Sequence, residues 1–138
     1  NDGIKAMIAQ GKVFKTSTVD HWMDCGNKEV TVETNTKMLG FMHEDGLPMR
    51  GQNVVLDQTE VIEPCFIADG VVLRGSKVGP HVSIGPNTVI ENSTLARSII
   101  QGESKITNAT LNEAMIGNHV IFDGNFTKVS LGDYTKME

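Results

Sequence analysis

The residues able to do chemistry are few and scattered. In Trp22-Met23-Asp24-Cys25-Gly26, a carboxylate and a thiol stand between an expected strand end and Asn27, an expected helix cap. Taken alone, Asp24 reads as a side chain capping a turn or helix, and Trp22 as a core residue. His43, Glu44 and Asp45 are consecutive. They fall in a Gly- and Pro-rich connector with no helix or strand to fix a ligand geometry, so a solvated loop is expected rather than a metal site. His81 and His119 are candidate general bases. Both lie at turns, just before Val82 and Val120, with no carboxylate nearby in the sequence, and solvated turn positions are expected for them. Cys25 and Cys65 lack metal-ligand spacing and read as reduced thiols.

The elements that must position these groups are dominated by a repeat from Val54 to Phe122. Aliphatic residues recur every five or six positions, as in Val61, Ile67, Leu73, Val78, Ile84 and Ile90. Two residues before each stands a slim or β-branched one, such as Cys65, Val71, Ser76, Val82 or Thr88. This is neither helical periodicity nor simple strand alternation. It predicts three-residue strands, both ends pointing inward because side chains alternate, three strands to a triangular coil. The slim residue sits where the wall bends and the aliphatic one fills the axis. Coils of 16 or 17 residues then stack Val61, Val78, Leu95 and Leu111 in one column. Ile67, Ile84, Ile100 and Ile116 form a second, and Leu73, Ile90, Ile106 and Phe122 a third. Gly, Asn and Pro between units suit the turns. The short period favours a left-handed parallel β-helix, against the usual right-handed crossover.

The middle residue of each strand points outward. One side reads Glu60, Lys77, Thr94, Thr110 and is polar; the others read Phe66, Ser83, Ile99, Met115 and Val72, Val89, Lys105, Ile121. Aligned apolar stripes predict that at least one side is covered, by another subunit in a homo-oligomer or by the segment 1–40. After Phe122, Val129 to Leu131 and Thr135 to Met137 repeat the strand rule and predict a last partial coil, with Phe126 or Tyr134 covering the end.

The chain has 138 residues with 39% hydrophobic and 5% aromatic content, so its core must be aliphatic. A net charge of −5 argues against nucleic acid as a partner. No apolar run approaches a membrane span, and nothing suggests export. Ahead of the repeat, Asn1 or Asp2 can cap a helix over IKAMIAQ that Gly11 ends. A helix this short needs a partner surface, so more protein is expected N-terminal to it. KVFKTSTVD reads as a strand. Asn27 caps a second helix with an imperfect apolar face of Val30, Val32, Met38 and Leu39, and Gly40, Gly46, Pro48 and Gly51 break the connector after it.

VGPHVSIGPNTVI resembles the hexapeptide-repeat, left-handed β-helix proteins, which include acyltransferases and the C-terminal domains of sugar nucleotidyltransferases. The repeat alone does not choose between them. The WMDCG run resembles the W-x-D-x-G segment of sugar-phosphate nucleotidyltransferases (NDP-sugar pyrophosphorylases such as glucose-1-phosphate thymidylyltransferase), and here too a helix, a connector and the repeat follow it. The resemblance implies a mainly β chain. Residues 1–40 would be the C-terminal remnant of an α/β nucleotidyltransferase catalytic domain, 41–53 a connector and 54–138 the β-helix. It implies that Asp24 is one ligand of a catalytic Mg²⁺ in the intact enzyme, and it offers Trp22 as a wall of the sugar pocket. The family's Gly-rich nucleotide loop, its other metal carboxylate and its phosphate-binding Lys have no match here. The expectation is therefore a C-terminal piece with no catalytic residue of its own and no tightly bound cofactor. Its partners would be the missing N-terminal catalytic domain, a nucleoside triphosphate and a sugar 1-phosphate. Its β-helix would serve assembly or regulation, and its place would be the cytoplasm. The alternative is a hexapeptide-repeat acyltransferase using acetyl-coenzyme A.

Overall fold

The computed structural model describes residues 2–125. Asn1 as a cap, the partial coil expected over Val129 to Leu131 and Thr135 to Met137, and the covering roles of Phe126 and Tyr134 lie outside them. Two helices, α1 (Asp2–Ala9) and α2 (Lys28–Glu44), precede thirteen short strands numbered β1 to β13 in chain order.

The strands form three parallel sheets, one for each side of a prism. The first side stacks β1 (Val55–Asp57), β4 (Val72–Arg74), β7 (Val89–Glu91), β10 (Lys105–Thr107) and β13 (Ile121–Asp123). The second stacks β2 (Glu60–Val61), β5 (Lys77–Val78), β8 (Thr94–Ala96) and β11 (Thr110–Asn112). The third stacks β3 (Cys65–Ile67), β6 (Val82–Ile84), β9 (Ile99–Ile100) and β12 (Met115–Ile116). Every pairing is between strands three apart, as one strand per side per turn requires, in the left-handed β-helix expected. The register places Ile67 beside Ile84, Ile84 beside Ile100 and Ile100 beside Ile116. Leu73, Ile90, Ile106 and Phe122 are likewise in file. Ile84, Ile90, Leu95 and Ile106 have no exposed surface, and Leu111, Ile116 and Phe122 are half-buried against the core. Burial of each such side chain is worth roughly 1.5–3 kcal/mol before chain entropy.

The corners share one device. Asn53, Gln58, His81, Asn87, Asn92, Arg97, Glu103, Asn108, Glu113 and His119 all have left-handed φ, as do Gly70 and Gly75. Each immediately precedes a slim inward residue. Gly and Asn adopt this conformation cheaply, whereas Gln, Arg and Glu are strained by it. The slim residues also do more than save room. Thr59, Ser76, Ser93 and Ala109 form a column in which each hydroxyl accepts the backbone N–H of the residue one coil on: Thr59 from Ser76 at 3.4 Å, Ser76 from Ser93 at 3.1 Å, Ser93 from Ala109 at 3.1 Å. Ser98 and Ser104 serve Ala114 and Val120 in the same way. These N–H groups sit at bends that no strand ladder reaches, and a buried donor without a partner is costly.

Three expectations are corrected. Residues 12–20, expected as a strand, form none, since no strand among the described residues lies beside them to pair with. α2 does not stop near Gly40 but runs through it to Glu44, so His43 and Glu44 belong to its last turn rather than to a loop. The C-terminal part of the connector joins the solenoid instead of merely leading to it: Ile67 donates to Met49 O at 2.9 Å and Gly51 to Ile67 O at 2.8 Å.

Candidate functional site

The WMDCG segment is carried by α2. Asn27 caps that helix with extended φ and ψ, and its Oδ1 accepts the Val30 N–H at 3.0 Å, as its residue type allows. Asp24 Oδ1 accepts the N–H of the next residue, Cys25, at 2.7 Å. Asp24's carbonyl accepts a bond of 2.6 Å from Thr34 Oγ1 on α2. His21 stacks obliquely against Phe41 with ring centroids 4.8 Å apart. The segment thus lies along the face of α2 that bears Thr34 and Phe41, seven residues apart. Trp22 corrects an expectation: it is 84% exposed, because nothing in the described chain offers its ring a surface. Residues 2–22 are all exposed, among them Ile4, Ile8, Val13 and Phe14.

The opposite face of α2 meets the β-helix. Val32 and Leu39 are buried at 3% and 2% exposure, and between them Asn35 Oδ1 accepts a 2.6 Å hydrogen bond from Ser83 Oγ of β6. The third side is therefore the one that the N-terminal segment covers. Near its ends Phe66 and Met115 stay 37% and 48% exposed. On the first side Val72 and Val89 are half-buried while Val55 and Ile121 are exposed. The weak apolar face read from α2 has a physical reason, because this helix makes contacts on two faces. The N-terminal half of α2 borders a hollow of about 220 Å³, walled by Lys28, Glu33, Arg97 and Glu113 among others. Lys37, 2.7 Å away, holds the Glu33 carboxyl below its ordinary range.

The two histidines differ. His119 Nδ1 lies 3.1 Å from Glu103 Oε2 of the preceding coil, a partner invisible in local sequence but implied by the 16-residue coil. Both are exposed, where such a pair contributes little. His81 is half-buried, and its Nδ1 is enclosed without a hydrogen-bond partner. Burial, helped by the nearby charge of Arg97, holds its pKa below the ordinary value. Among the described residues no three of His, Cys, Asp and Glu are grouped so as to hold a metal ion, whether around Asp24 or around His43 and Glu44. No helix among them is long and apolar enough to cross a membrane. Both cysteines are free, Cys25 exposed and Cys65 buried.

No family model matches the chain. It is 27% identical over 154 residues to a glucose-1-phosphate thymidylyltransferase of Streptomyces antibioticus, a match taking in 98% of this chain and 43% of the relative. A glucose-1-phosphate thymidylyltransferase of Streptomyces griseus is 26% identical over 156 residues, covering 99% of this chain and 44% of its own length. A probable mannose-1-phosphate guanyltransferase of Schizosaccharomyces pombe is 29% identical over 110 residues, or 78% of this chain and 26% of the relative. The chain spans less than half the length of these curated relatives. All three are sugar-1-phosphate nucleotidyltransferases, the class that WMDCG and the repeat resemble, and the two Streptomyces matches run along nearly the whole chain.

Proposed function

We propose that this chain is the C-terminal part of a sugar-1-phosphate nucleotidyltransferase. In that reaction a phosphate oxygen of the sugar 1-phosphate attacks the α-phosphorus of a nucleoside triphosphate. The bond to the β-phosphate breaks and pyrophosphate leaves with the electron pair, giving the nucleoside diphosphate sugar. The observation that carries this reading is the match to such enzymes over 98% of the chain, from the WMDCG segment through the β-helix.

In this reading the exposed apolar side chains of residues 2–22, Trp22 included, face the remainder of the catalytic domain, and Trp22 borders the sugar. Asp24 is one carboxylate of a Mg²⁺ site whose other ligands come from that remainder. The described residues do not make such a site by themselves. The β-helix serves assembly, with the Val55, Val72 and Val89 stripe of the first side as the surface for a second subunit, or it serves regulation. The free thiols accord with a cytoplasmic place. The second reading, acyl transfer from acetyl-coenzyme A, rests on the His119–Glu103 pair.

The test is an assay of the intact protein with the four common ribo- or deoxyribonucleoside triphosphates, hexose 1-phosphates and Mg²⁺, alongside this 138-residue chain alone. Pyrophosphate release by the intact protein and none by the chain alone is expected. Turnover by the chain alone would overturn the reading of it as a part. Acetyl transfer without pyrophosphate release would favour the second reading.

A further inference from the structure

The side chains of Thr34 and Asn35 tie α2 to two different parts of the chain. The two residues are adjacent on α2, and each spends its side chain on a different neighbour. Thr34 donates to the backbone of Asp24 at 2.6 Å; Asn35 accepts from Ser83 of the β-helix at 2.6 Å. At 3.6 residues per turn, Val32, Asn35 and Leu39 share one face, and Thr34 and Phe41 lie about 150° round from it. α2 is held between the WMDCG segment on one flank and the solenoid on the other.

We propose that Ser83 and Asn35 are positioning residues for the Asp24 segment, the β-helix setting its place through α2. The solenoid is a stack of coils with a closed aliphatic core, and so a rigid base. The WMDCG segment, by contrast, has little burial of its own: His21, Trp22, Asp24 and Cys25 are exposed and Met23 is half-buried. Its order comes from α2, through Thr34 and the His21–Phe41 contact. α2 in turn takes its rotation about its own axis from Asn35. Val32 and Leu39 are apolar and tolerate sliding on the sheet, whereas a hydrogen bond has a preferred direction and a narrow range of distance. Asn35 Nδ2 is enclosed without a partner, so the latch is a lone bond of the amide, not a doubly held one. A shift of coil at Ser83 would therefore move Asp24, and the reverse. The catalytic consequence rests on the proposed role of Asp24; the mechanical linkage does not.

The test uses this chain with a nitroxide label on Cys25, next to Asp24. Cys25 is exposed while Cys65 is buried with its thiol pKa raised to about 11, so labelling is selective. Thr34→Ala, which removes the direct bond, sets the scale of mobility. Ser83→Ala and Asn35→Ala, on the far face of α2 from the label, are expected to raise the label's rotational rate at least twofold, approaching Thr34→Ala. Ser83→Thr, which keeps the hydroxyl, is expected to restore the parental spectrum. Far-ultraviolet circular dichroism of all variants is expected to stay unchanged, since Thr34, Asn35 and Ser83 all lie outside the aliphatic core. A parental spectrum in Ser83→Ala with a mobile one in Thr34→Ala would overturn the proposal, as would a parental spectrum in Thr34→Ala itself. Because the readout needs no turnover, its failure is distinct from failure of the nucleotidyl-transfer reading.

Discussion

The hydroxyl of Ser93 accepts the N–H of Ala109, one coil further on, at 3.1 Å, while donating to Glu91 O at 2.7 Å. The bond joins two corners that the strand ladders leave unpaired. Ser93→Ala keeps the slot slim but leaves a buried N–H without an acceptor, so a loss of about 1–3 kcal/mol is expected. Thr94→Ala, on the exposed outer face of the next residue, is expected to stay within about 0.5 kcal/mol of the parent. Urea denaturation of the two variants checks the contrast. Equal midpoints would reduce the hydroxyl column to a packing feature.

Two glycines with opposite surroundings give a second test. A Cβ on Gly79 would run into the carbonyl of Ile62 and crowd the Cys65 sulfur, and the residue has φ +111. Gly79→Ala is therefore expected to destabilise the β-helix by several kcal/mol, visible as loss of cooperative thermal unfolding. Gly40 lies inside α2 with open space where a Cβ would stand. Gly40→Ala is expected to stabilise by about 0.5–1 kcal/mol through helix propensity. A melting temperature that falls in Gly40→Ala would mean that the helix bends or packs differently there.

Stability should fall at both ends of the pH scale, for reasons of opposite sign. Hydrogen bonds from Arg74 first, then from Lys105, hold the Glu91 carboxyl below its ordinary value. Its folded pKa is depressed, so its contribution is present above the ordinary value near 4.5 and lost as pH falls through the folded one. Burial raises the Cys65 thiol from an ordinary 9.0 to about 11. Here the folded pKa is raised, so the contribution is complete below 9 and drains away between pH 9 and 11, on the order of 2–3 kcal/mol in all. Chemical denaturation across that window is expected to show a steeper alkaline loss in the parent than in Cys65→Val. Parallel curves would contradict the assignment to Cys65.

The solenoid was legible because its repeat states both period and face. The repeat alone puts Ile67, Ile84, Ile100 and Ile116 in one column, and they stand in one. The hydroxyl column was not legible, because slimness and hydrogen bonding both select serine and the sequence shows only the residue. Nor was the strain at Gln58, Arg97 and Glu113, whose types disfavour the left-handed φ that the corner imposes. Before the repeat, inference weakened for a different reason. KVFKTSTVD has strand composition and Trp22 has core composition, yet strand pairing and burial need a second surface, which a local pattern does not report. Asn27 was read correctly because a cap is a local bond, made within three residues. Asn35 gave no signal, since its partner Ser83 is 48 residues away.

In the proposed function, the WMDCG segment, held on α2, belongs to the nucleotidyl-transfer site of the intact protein. The most direct measurement is steady-state pyrophosphate release by the intact protein carrying Asp24→Asn, beside the parent and a Thr18→Ala control in the exposed segment before it. A fall in kcat/KM of about 100-fold or more is expected for Asp24→Asn, with the control near parental and the β-helix spectrum unchanged in both. Parental turnover in Asp24→Asn would contradict it.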